Sequence, residues 1–416
     1  MILTRTKKII TFGPSLDKYL EWGNNFEINS NVIEKYNLLI ESGVDCIRFN
    51  MSHDNINNHE KRFASLRELN RIANKKISIL IDTKGPEIRI CEIKDNTPIL
   101  NGEIITIITN NPNLIGNKNC FAVSDSTKTY NLANDVNKND LIYIADGKLV
   151  LKVLSINENK TEIKAISISD EFILSSNRRV NLVNKKYHLP FISEYDNLVI
   201  QKATLWKADF IALSFLSNKN ELESVKKIIQ SIDDESQIKL IGKIENLEAI
   251  NNIDSLIDAC DGIMVARGDL ALEIGYEKVP YYEDIIVNKC NEKFKISIIA
   301  TQILDSLENS ILPTRAETYD CYNVVKLNAN AAMLSGETAS GVNPLNAVIQ
   351  MNKIIEFAEN IDFKNFKINK NSISIISNCN NYIEFSKNND NAIGKFYNYK
   401  SQDLWMTLLK KIYFVK

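Results

Sequence analysis

Residues 261–274 read DGIMVARGDLALEI, and within this stretch an apolar run changes abruptly into polar residues. The run from Ile263 to Ala266 suits a buried strand, and Arg267, Gly268 and Asp269 follow it at once. Side chains alternate between the two faces of a strand, so Arg267 and Asp269 share a face. A buried strand whose end carries charges and a glycine indicates a loop that forms one wall of an active site.

This strand is one of eight short apolar runs that alternate with helix-like segments along most of the chain. In one such segment, NELESVKKIIQSI, five apolar residues from Leu222 to Ile232 recur at helical spacing. Repeated strand–helix pairs predict an α/β protein with a (β/α)8 TIM barrel. Periodicity alone leaves a doubly wound open sheet as the alternative. The other seven predicted strands are KKIITF (7–12), CIRFN (46–50), ISILIDT (77–83), FIALSF (210–215), IKLIGKIE (238–245), ISIIAT (296–301) and NAAML (330–334).

The alternation breaks between residues 87 and 186, where strand-like runs are separated by Asn, Asp and Gly. Asp146-Gly147 lies between two β-rich runs and predicts a hairpin turn. We therefore expect a small inserted β-barrel lid domain at 87–186 between two parts of the TIM barrel, 1–86 and 187–359. Residues 360–416 contain one strand-like run (SISII), an Asn-rich stretch and a helix-like end (SQDLWMTLLKKIY), and we expect a shortened C-terminal α/β remnant.

Composition excludes several classes of protein. The 416 residues carry a formal net charge of −2, which provides no positive footprint for nucleic acid or an anionic membrane. No apolar run approaches the ~18 residues of a membrane span, and the N-terminal sequence lacks a secretory signal pattern. The seven cysteines show no C-x-x-C pair, so neither a disulfide framework nor a zinc site is indicated. We expect a cytoplasmic protein without membrane or nucleic-acid partners.

Polar residues collect where the predicted strands end, and barrel enzymes carry their catalytic groups at these ends. Glu245 and Asp269 are carboxylates on neighbouring strands, which suits Mg²⁺ when phosphate completes its shell. Lys243 and an arginine can stabilise the charge of a phosphoryl group in transfer. The chain has neither a Walker phosphate loop nor a G-x-S-x-G motif. The remaining polar residues at strand ends are Arg48, Asn50, Ser52, Asp82, Thr83, Arg267 and Thr301.

Eight motifs resemble, in order and spacing, those of the pyruvate kinase family, and the resemblance runs from about Lys7 to Glu359. Members of this family have a TIM barrel, a β-domain lid after the third strand and a C-terminal α/β domain. The resemblance implies transfer of phosphate from phosphoenolpyruvate to ADP, giving pyruvate and ATP, with Mg²⁺ and usually K⁺. The motifs are ITFGPS, RFNMSH, DTKGPEIR, GKIEN, DGIMVARGDL, ATQILDS, PTRAE and MLSGETA.

The resemblance also implies roles for single residues. It assigns Lys243, Thr301 and Arg48 to catalysis, and Glu245 and Asp269 to Mg²⁺. Phosphoenolpyruvate would be held by Arg48, Gly268, Asp269 and Thr301, and Gly268 would let the backbone approach it closely. The K⁺ ligands would be Asn50, Ser52, Asp82 and Thr83. The nucleotide-binding residues would be Asn50, Met51, Ser52, His53, Arg89 and Arg178, the last aligned through RVNL.

Two other functions stay open at this point. One is another magnesium-dependent barrel enzyme that acts on an enolpyruvate, although it would not explain the inserted β-domain or DTKGPEIR. The other is a decayed, non-catalytic homologue that acts as a binding protein. The intact Lys243, Glu245, Asp269 and Thr301 favour catalysis over decay. A homo-oligomer formed through the barrel faces is also left open.

Overall fold

The computed structural model describes residues 4–365, apart from positions 24, 74–76, 126, 146, 184, 186 and 187, together with 376–378, 381–388 and 391–398. The strands are β1 (Lys7–Phe12), β2 (Cys46–Asn50), β3 (Ser78–Asp82), β4 (Ile88–Ile90), β5 (Pro98–Ile99), β6 (Ile104–Ile108), β7 (Cys120–Ser124), β8 (Leu141–Ile144), β9 (Leu149–Ile156), β10 (Glu162–Ser167), β11 (Phe172–Ile173), β12 (Arg179–Leu182), β13 (Phe210–Leu213), β14 (Lys239–Ile244), β15 (Gly262–Ala266), β16 (Ile296–Ala300), β17 (Ala331–Leu334), β18 (Ile376–Asn378), β19 (Asn381–Asn388) and β20 (Asn391–Asn398).

Helices follow most of the barrel strands, and short 3-10 turns occur at 132–134, 276–278 and 305–308. The α-helices are α1 (Pro14–Leu20), α2 (Ser30–Glu41), α3 (Ile56–Ile72), α4 (Glu194–Leu205), α5 (Lys219–Ile232), α6 (Leu247–Asn251), α7 (Ile253–Ala259), α8 (Arg267–Ile274), α9 (Val279–Glu292), α10 (Arg315–Lys326), α11 (Gly336–Ala339) and α12 (Pro344–Asn365).

Eight parallel strands close into a barrel in the order β1-β17-β16-β15-β14-β13-β3-β2. All eight predicted runs became strands of this barrel, with ends shifted by two residues at most. The closed order confirms the TIM barrel and rules out the doubly wound open sheet. Parallel register brings the carboxyl ends of all eight strands to one rim, as in the pairing of Asn50 with Asp82 between β2 and β3.

Burial on both faces explains why these runs contain so few polar residues. Apolar side chains such as Ile9, Leu80 and Met264 fill the inside of the barrel. The apolar side chains on the outer face of the strands contact the surrounding helices. The helix α5 begins with a capping box between Asn218 and Glu221, which satisfies its first free backbone N–H groups. On its predicted apolar face Leu222, Val225 and Ile229 are buried and Ile228 is partly buried, whereas Ile232 is 38% exposed where the helix ends.

A second closed barrel lies between β3 and α4, in the order β10-β6-β7-β4-β12-β8-β9. This confirms the inserted β-barrel lid. The expected hairpin is present, because β8 and β9 pair antiparallel across a turn that contains Gly147 with a φ of 83°. Asp146 itself lies outside the described residues. We propose the domain boundaries at 86/87 and 186/187; residues 186 and 187 lie outside the described residues.

Two further segments contain elements that the sequence analysis did not specify. The segment 247–259 forms two helices, α6 and α7, which meet at Asn252, whose side chain donates to the carbonyl of Ser217 at 2.9 Å. In the C-terminal segment the described strands β18, β19 and β20 form an antiparallel sheet, so most of the Asn-rich stretch is strand. The predicted helix at 401–413 lies outside the described residues.

Candidate active site

A buried ion-pair network occupies the carboxyl-terminal rim of the TIM barrel, and Asp82 at the end of β3 is its centre. The Nε of Arg48 on β2 donates to Asp82 Oδ2 at 2.6 Å, and its Nη1 donates to Thr11 Oγ1 at 3.0 Å. Lys243 on β14 places its Nζ 3.1 Å from Asp82 Oδ1. These two cations keep the pKa of the Asp82 carboxyl below its ordinary value, although burial alone would raise it.

Lys243 joins three strand ends through its ammonium group. Its Nζ lies 2.9 Å from Glu245 Oε1 and donates to Ser214 Oγ at 2.7 Å. Lys243 and Glu245 are two residues apart on β14, so strand alternation directs both side chains to the same face. The second oxygen of Glu245, Oε2, accepts the backbone N–H of Phe215 at 2.6 Å. Lys243 and Glu245 are thus fixed before any ligand arrives.

Asp269, in the first turn of α8, completes the network beside Glu245. The two carboxyl groups are hydrogen-bonded to each other, and Asp269 Oδ1 lies 2.5 Å from Arg179 Nη1. Burial, together with the nearby negative charge of Asp269, raises the pKa of Glu245 to about 7. The neighbouring Arg179 and Lys243 lower the pKa of Asp269 despite its burial. The pair therefore behaves as two carboxylates that compete for one proton.

Arg267 does not face the site as the sequence suggested. Its guanidinium donates to the carbonyl of Thr301 at 2.7 Å and to Asp320 Oδ2 at 2.7 Å, and a more distant contact reaches Glu283 at 3.4 Å. Arg267 faces away from the site because it begins α8, and its side chain turns toward α9 and α10 rather than into the mouth of the barrel. Arg267 is therefore a positioning residue for the loop that follows β16.

Thr301 is held in a conformation that β-branched residues rarely adopt. Its φ is 69°, in the left-handed region, and the next residue, Gln302, has a φ of 54°. Arg267 bonds the carbonyls of both residues, which supports this strained turn. The Thr301 hydroxyl in turn accepts the backbone N–H of Gly268 at 2.8 Å. The predicted substrate residues Gly268, Asp269 and Thr301 are thus brought together.

The proposed potassium ligands gather at the ends of β2 and β3. Asn50 pairs with Asp82 in register, and its Oδ1 accepts the backbone N–H of Ser52 at 3.1 Å. The carbonyl of Thr83 accepts the hydroxyl of Ser214 at 2.7 Å. This set supplies carbonyl, hydroxyl, amide and carboxylate oxygens from two neighbouring strand ends, and such hard oxygen donors fit a cation such as K⁺.

The proposed nucleotide residues are not all placed toward a ligand. The side chain of Met51 is buried in the hydrophobic core, so only its backbone is available at the rim. The side chain of His53 is largely exposed, but the protein around its ring removes part of its hydration, and this desolvation together with the charge of Arg89 lowers its pKa. Arg89 bonds Glu87 at 2.9 Å beside a cleft of about 420 Å³. Arg178 is exposed and donates to Ser175 Oγ at 2.8 Å.

Sequence reasoning missed three residues of the site: Ser214, Phe215 and Arg179. Ser214 and Phe215 end the predicted strand FIALSF, so the rule that located Lys243 would also have found them at the end of β13. Arg179 had no such signal. It follows Arg178 directly, and neighbouring residues of a strand point to opposite faces, so the sequence could not tell which arginine faces the TIM barrel.

The carboxylates suit a magnesium ion as a partial site. Among the described residues, no group of three or more histidine, cysteine, aspartate and glutamate side chains is placed to hold a metal. Mg²⁺, however, is commonly held by one or two carboxylates, and waters and substrate phosphates complete its shell. Burial and the charge of Asp269 raise the pKa of Glu245 to about 7, and two carboxyl groups placed side by side favour the binding of a cation between them. Glu245 and Asp269 therefore fit a metal that binds together with a phosphate-bearing ligand.

Comparison with known proteins gives the family. The family model for the barrel domain of pyruvate kinase matches residues 3–348. The pyruvate kinase of Mycoplasma genitalium is 40% identical over 373 residues, which cover 88% of this chain and 73% of that protein. The pyruvate kinase of Mycoplasma pneumoniae is 40% identical over 365 residues, covering 86% and 71% respectively. A crystal structure of a pyruvate kinase from Cryptosporidium parvum matches with a TM-score of 0.75 and 34% identity, over 86% of this chain and 70% of that chain.

These matches remove the alternative of a different enolpyruvate barrel enzyme. In the part of the chain that the structure describes, no helix combines the length and hydropathy needed to cross a bilayer. The residues matched by the family model, 3–348, include all eight strands of the TIM barrel and the inserted second barrel. Because that model covers most of the sequence and relatives at 40% identity extend over nearly nine-tenths of it, the chain belongs to the pyruvate kinase family.

Proposed function

We propose that this site transfers the phosphoryl group of phosphoenolpyruvate to ADP, giving pyruvate and ATP. The observation that carries the proposal is the buried ammonium of Lys243, fixed between Asp82 and Glu245 beside Asp269. Phosphoryl transfer is catalysed largely by positive charge positioned where negative charge develops. A lysine that two carboxylates keep protonated provides such a charge without further reorganisation.

The same residues support the proposed cofactors. Glu245 and Asp269 would hold Mg²⁺, which when bound neutralises phosphoryl oxygens and orients them for transfer. Asn50, Ser52, Asp82 and Thr83 would hold K⁺ next to the phosphate. Their support is the oxygen-only donor set at two adjacent strand ends. Metal-binding measurements test both assignments.

Arg48 and Thr301 contribute different functions to substrate handling. Two nitrogens of Arg48 bond Asp82 and Thr11, and its Nη2, which has no hydrogen bond within the described residues, is left for the substrate phosphate. The Thr301 hydroxyl accepts from Gly268, so its own proton stays available for donation. Enolpyruvate needs a proton at its methylene carbon to become pyruvate. We therefore place Thr301 Oγ1 on the path that delivers this proton.

ADP would enter beside the lid, next to the Asn50–His53 turn, in which His53 is exposed. The cleft of about 420 Å³ is lined by three cationic side chains, Lys84, Arg89 and Lys128, and by three acidic ones, Glu87, Glu92 and Asp125. Its size lies within the range of small-molecule sites, and its three cations could pair with a diphosphate, although the three carboxylates balance their charge. Arg178 lies on the same lid surface as an exposed cation. The nucleotide assignment rests on these charges and on the family resemblance.

A coupled assay tests the function directly. Purified protein is supplied with phosphoenolpyruvate, ADP, Mg²⁺ and K⁺, and pyruvate formation is followed over time. We expect turnover that Asp269→Asn abolishes and Asp258→Asn, an exposed control on α7, leaves unchanged. Pyruvate formation no faster than in the protein-free reaction would contradict the proposal and favour the non-catalytic binding protein.

The cation requirement has a separate test at Glu87. In the family, glutamate at this position accompanies dependence on potassium, whereas relatives with lysine there supply the charge themselves. Glu87 is paired with Arg89 at 2.9 Å. The pair is neutral as a whole, so it supplies no net positive charge beside the substrate phosphate. We expect activity to rise steeply when K⁺ replaces tetramethylammonium at constant ionic strength. Equal rates in both salts would refute the potassium site.

A further inference from the structure

Arg179 is a lid residue whose side chain contacts the TIM barrel rim. It begins β12, and its Nη1 lies 2.5 Å from Asp269 Oδ1 on α8. Its guanidinium carbon lies 4.8 Å from the ring centroid of Phe215, a cation–π contact at the end of β13. Its Nη2 is buried and has no hydrogen-bond partner among the described residues. One donor of Arg179 is thus committed to Asp269 and another is buried at the site without an acceptor.

The pairing of the lid strands explains why Arg179 needs an anion from outside the lid. Arg179 on β12 stands directly opposite Arg89 on β4, so both side chains leave the same face of the lid. Like charges directly opposite each other destabilise a strand pair unless each finds an anion. Arg89 is paired with Glu87, within the connection from the TIM barrel to the lid. Arg179 takes Asp269, on the barrel itself.

Asp269 therefore has two possible cationic partners, the guanidinium of Arg179 and the proposed Mg²⁺. The proposed function makes it a ligand of Mg²⁺, which requires ligand oxygens at about 2.0–2.1 Å. Its Oδ1 is already engaged by the guanidinium at 2.5 Å, and its carboxyl group also bonds Glu245. A second cation at the same carboxylate would be repelled by the guanidinium at close range. The guanidinium therefore weakens the hold of Asp269 on a metal, and a bound metal would in turn weaken the Arg179 contact.

We propose that Arg179 is a lid-borne counter-ion of Asp269 that competes with Mg²⁺, so that the metal binds at the expense of this lid contact. The inference rests on the proposed function, because it takes Asp269 to be a metal ligand. Magnesium binding and the Arg179–Asp269 contact then oppose each other. When the metal binds, Arg179 is released with donors free for the phosphoryl oxygens bound beside the ion. The competition makes metal binding in the absence of substrate weaker than the two carboxylates alone would give.

Direct metal binding without substrate tests this competition. Free Mn²⁺ is counted by electron paramagnetic resonance during titration of the protein at constant pH and ionic strength, and Mg²⁺ is then added to displace it. We expect Arg179→Met to tighten Mn²⁺ and Mg²⁺ binding about tenfold, the factor that corresponds to about 1.4 kcal/mol. Arg178→Met is the matched control: it removes the same charge from the neighbouring, exposed position and should leave both affinities unchanged.

A third variant separates this inference from the proposed function. Asp269→Asn should weaken Mn²⁺ binding strongly if Asp269 is a ligand. If it does so while Arg179→Met leaves the affinity unchanged or weaker, the competition is refuted and the metal assignment stands. If Asp269→Asn binds Mn²⁺ as the unmodified protein does, the metal assignment and the competition both fail. Thermal unfolding checks each variant, and Arg179→Gln, which keeps a donor without the charge, replaces Arg179→Met if the latter does not fold.

Discussion

At the scale of single residues, Lys243 is expected to contribute both to phosphoryl transfer and to the stability of the fold. Its ammonium group is buried and touches Asp82, Glu245 and Ser214, which lie on three different strand ends. We expect Lys243→Met to fold and to bind metal, but to transfer phosphoryl groups ~10²–10³-fold more slowly, because one preorganised charge is lost. The fold should be weakened as well, since two buried carboxylates lose their cation.

The control for Lys243 lies on the same strand. Lys239 begins β14 and contacts Asp261 at 3.4 Å, away from the carboxyl-terminal rim. Lys239→Met should therefore keep the turnover number. Rates are measured at saturating substrate, and metal affinity is measured separately with Mn²⁺. Near-normal turnover of Lys243→Met would eliminate its role in transfer.

A pH dependence of metal binding follows from Glu245. Burial first, and then the charge of Asp269, raises the pKa of Glu245 from 4.5 to about 7. A raised pKa stabilises the folded protein below pH 4.5, and this contribution is lost as the pH rises through about 7. A metal needs the ionised form, so we expect Mn²⁺ affinity to fall by up to tenfold per pH unit below about 7 and to level off above it.

Glu283 provides the control for this pH profile. Burial also raises its pKa to about 7, but it contacts Arg267 rather than the metal carboxylates. Glu283→Gln should therefore leave the pH dependence of Mn²⁺ binding intact. Mn²⁺ affinity that does not change between pH 5.5 and 8 would show that the Glu245–Asp269 pair carries no extra proton.

At the scale of elements, two glycines in one strand–helix unit have opposite requirements. A Cβ on Gly268, in the first turn of α8, would lie 3.5 Å from Thr301 Oγ1, which is ordinary contact. A Cβ on Gly262, at the start of β15, would lie 2.7 Å from Ile296 Cβ inside the barrel wall. The backbone at Gly268 therefore has room beside it for a ligand. At Gly262 the missing side chain instead allows β15 to pack closely against β16.

This difference predicts two separable phenotypes. Gly268→Ala should keep the melting temperature and raise the KM for phosphoenolpyruvate about tenfold, because the methyl group occupies the space of the approaching substrate. Gly262→Ala should lose ~1–3 kcal/mol of stability through overpacking while the KM of the folded fraction stays near normal. Thermal unfolding and steady-state kinetics measure both. An unchanged KM in Gly268→Ala would show that the substrate does not approach this backbone.

At the scale of the whole molecule, α12, the last helix among the described residues, contacts the segment that leads into the first strand of the barrel. Glu359 in α12 accepts the backbone N–H of Arg5 at 2.8 Å and that of Thr6 at 2.7 Å, just before β1. The contact joins residues more than 350 positions apart, so it exists only when the barrel is closed. Glu356, one turn earlier, contacts Asn352 within the helix and joins nothing else in the hydrogen bonds of the described chain.

Closure therefore depends in part on one carboxylate. Glu359→Ala leaves two partly buried N–H groups without acceptors and should lower the free energy of unfolding by about 2 kcal/mol or more. Glu359→Gln keeps one acceptor oxygen and should lose about half as much, while Glu356→Ala should change little. Urea unfolding at a constant slope measures the three values. Equal stability of all three variants would show that the hydrogen bonds from Arg5 and Thr6 to Glu359 do not stabilise the fold.

Local sequence alone determined the strands, the inserted β-domain and most of the site. Strand alternation placed Arg48, Lys243, Glu245 and Asp269 near the rim, because the rule depends only on neighbouring residues. The family resemblance added their proposed roles. The closed order of the strands confirmed what periodicity could only suggest, since an open sheet has the same local pattern.

Only the tertiary structure decided which groups face each other across separate elements. Arg267 looked like a ligand from its strand position, yet it starts a helix and turns to Asp320. Arg179 looked no different from Arg178, yet the placement of the lid brings it to Asp269. These pairings depend on the packing of α8 against β12 and α10, and no local pattern encodes the meeting of segments about 50 to 90 residues apart. The physical reason is that local periodicity sets the face of a side chain, whereas its partner is set by how distant elements pack.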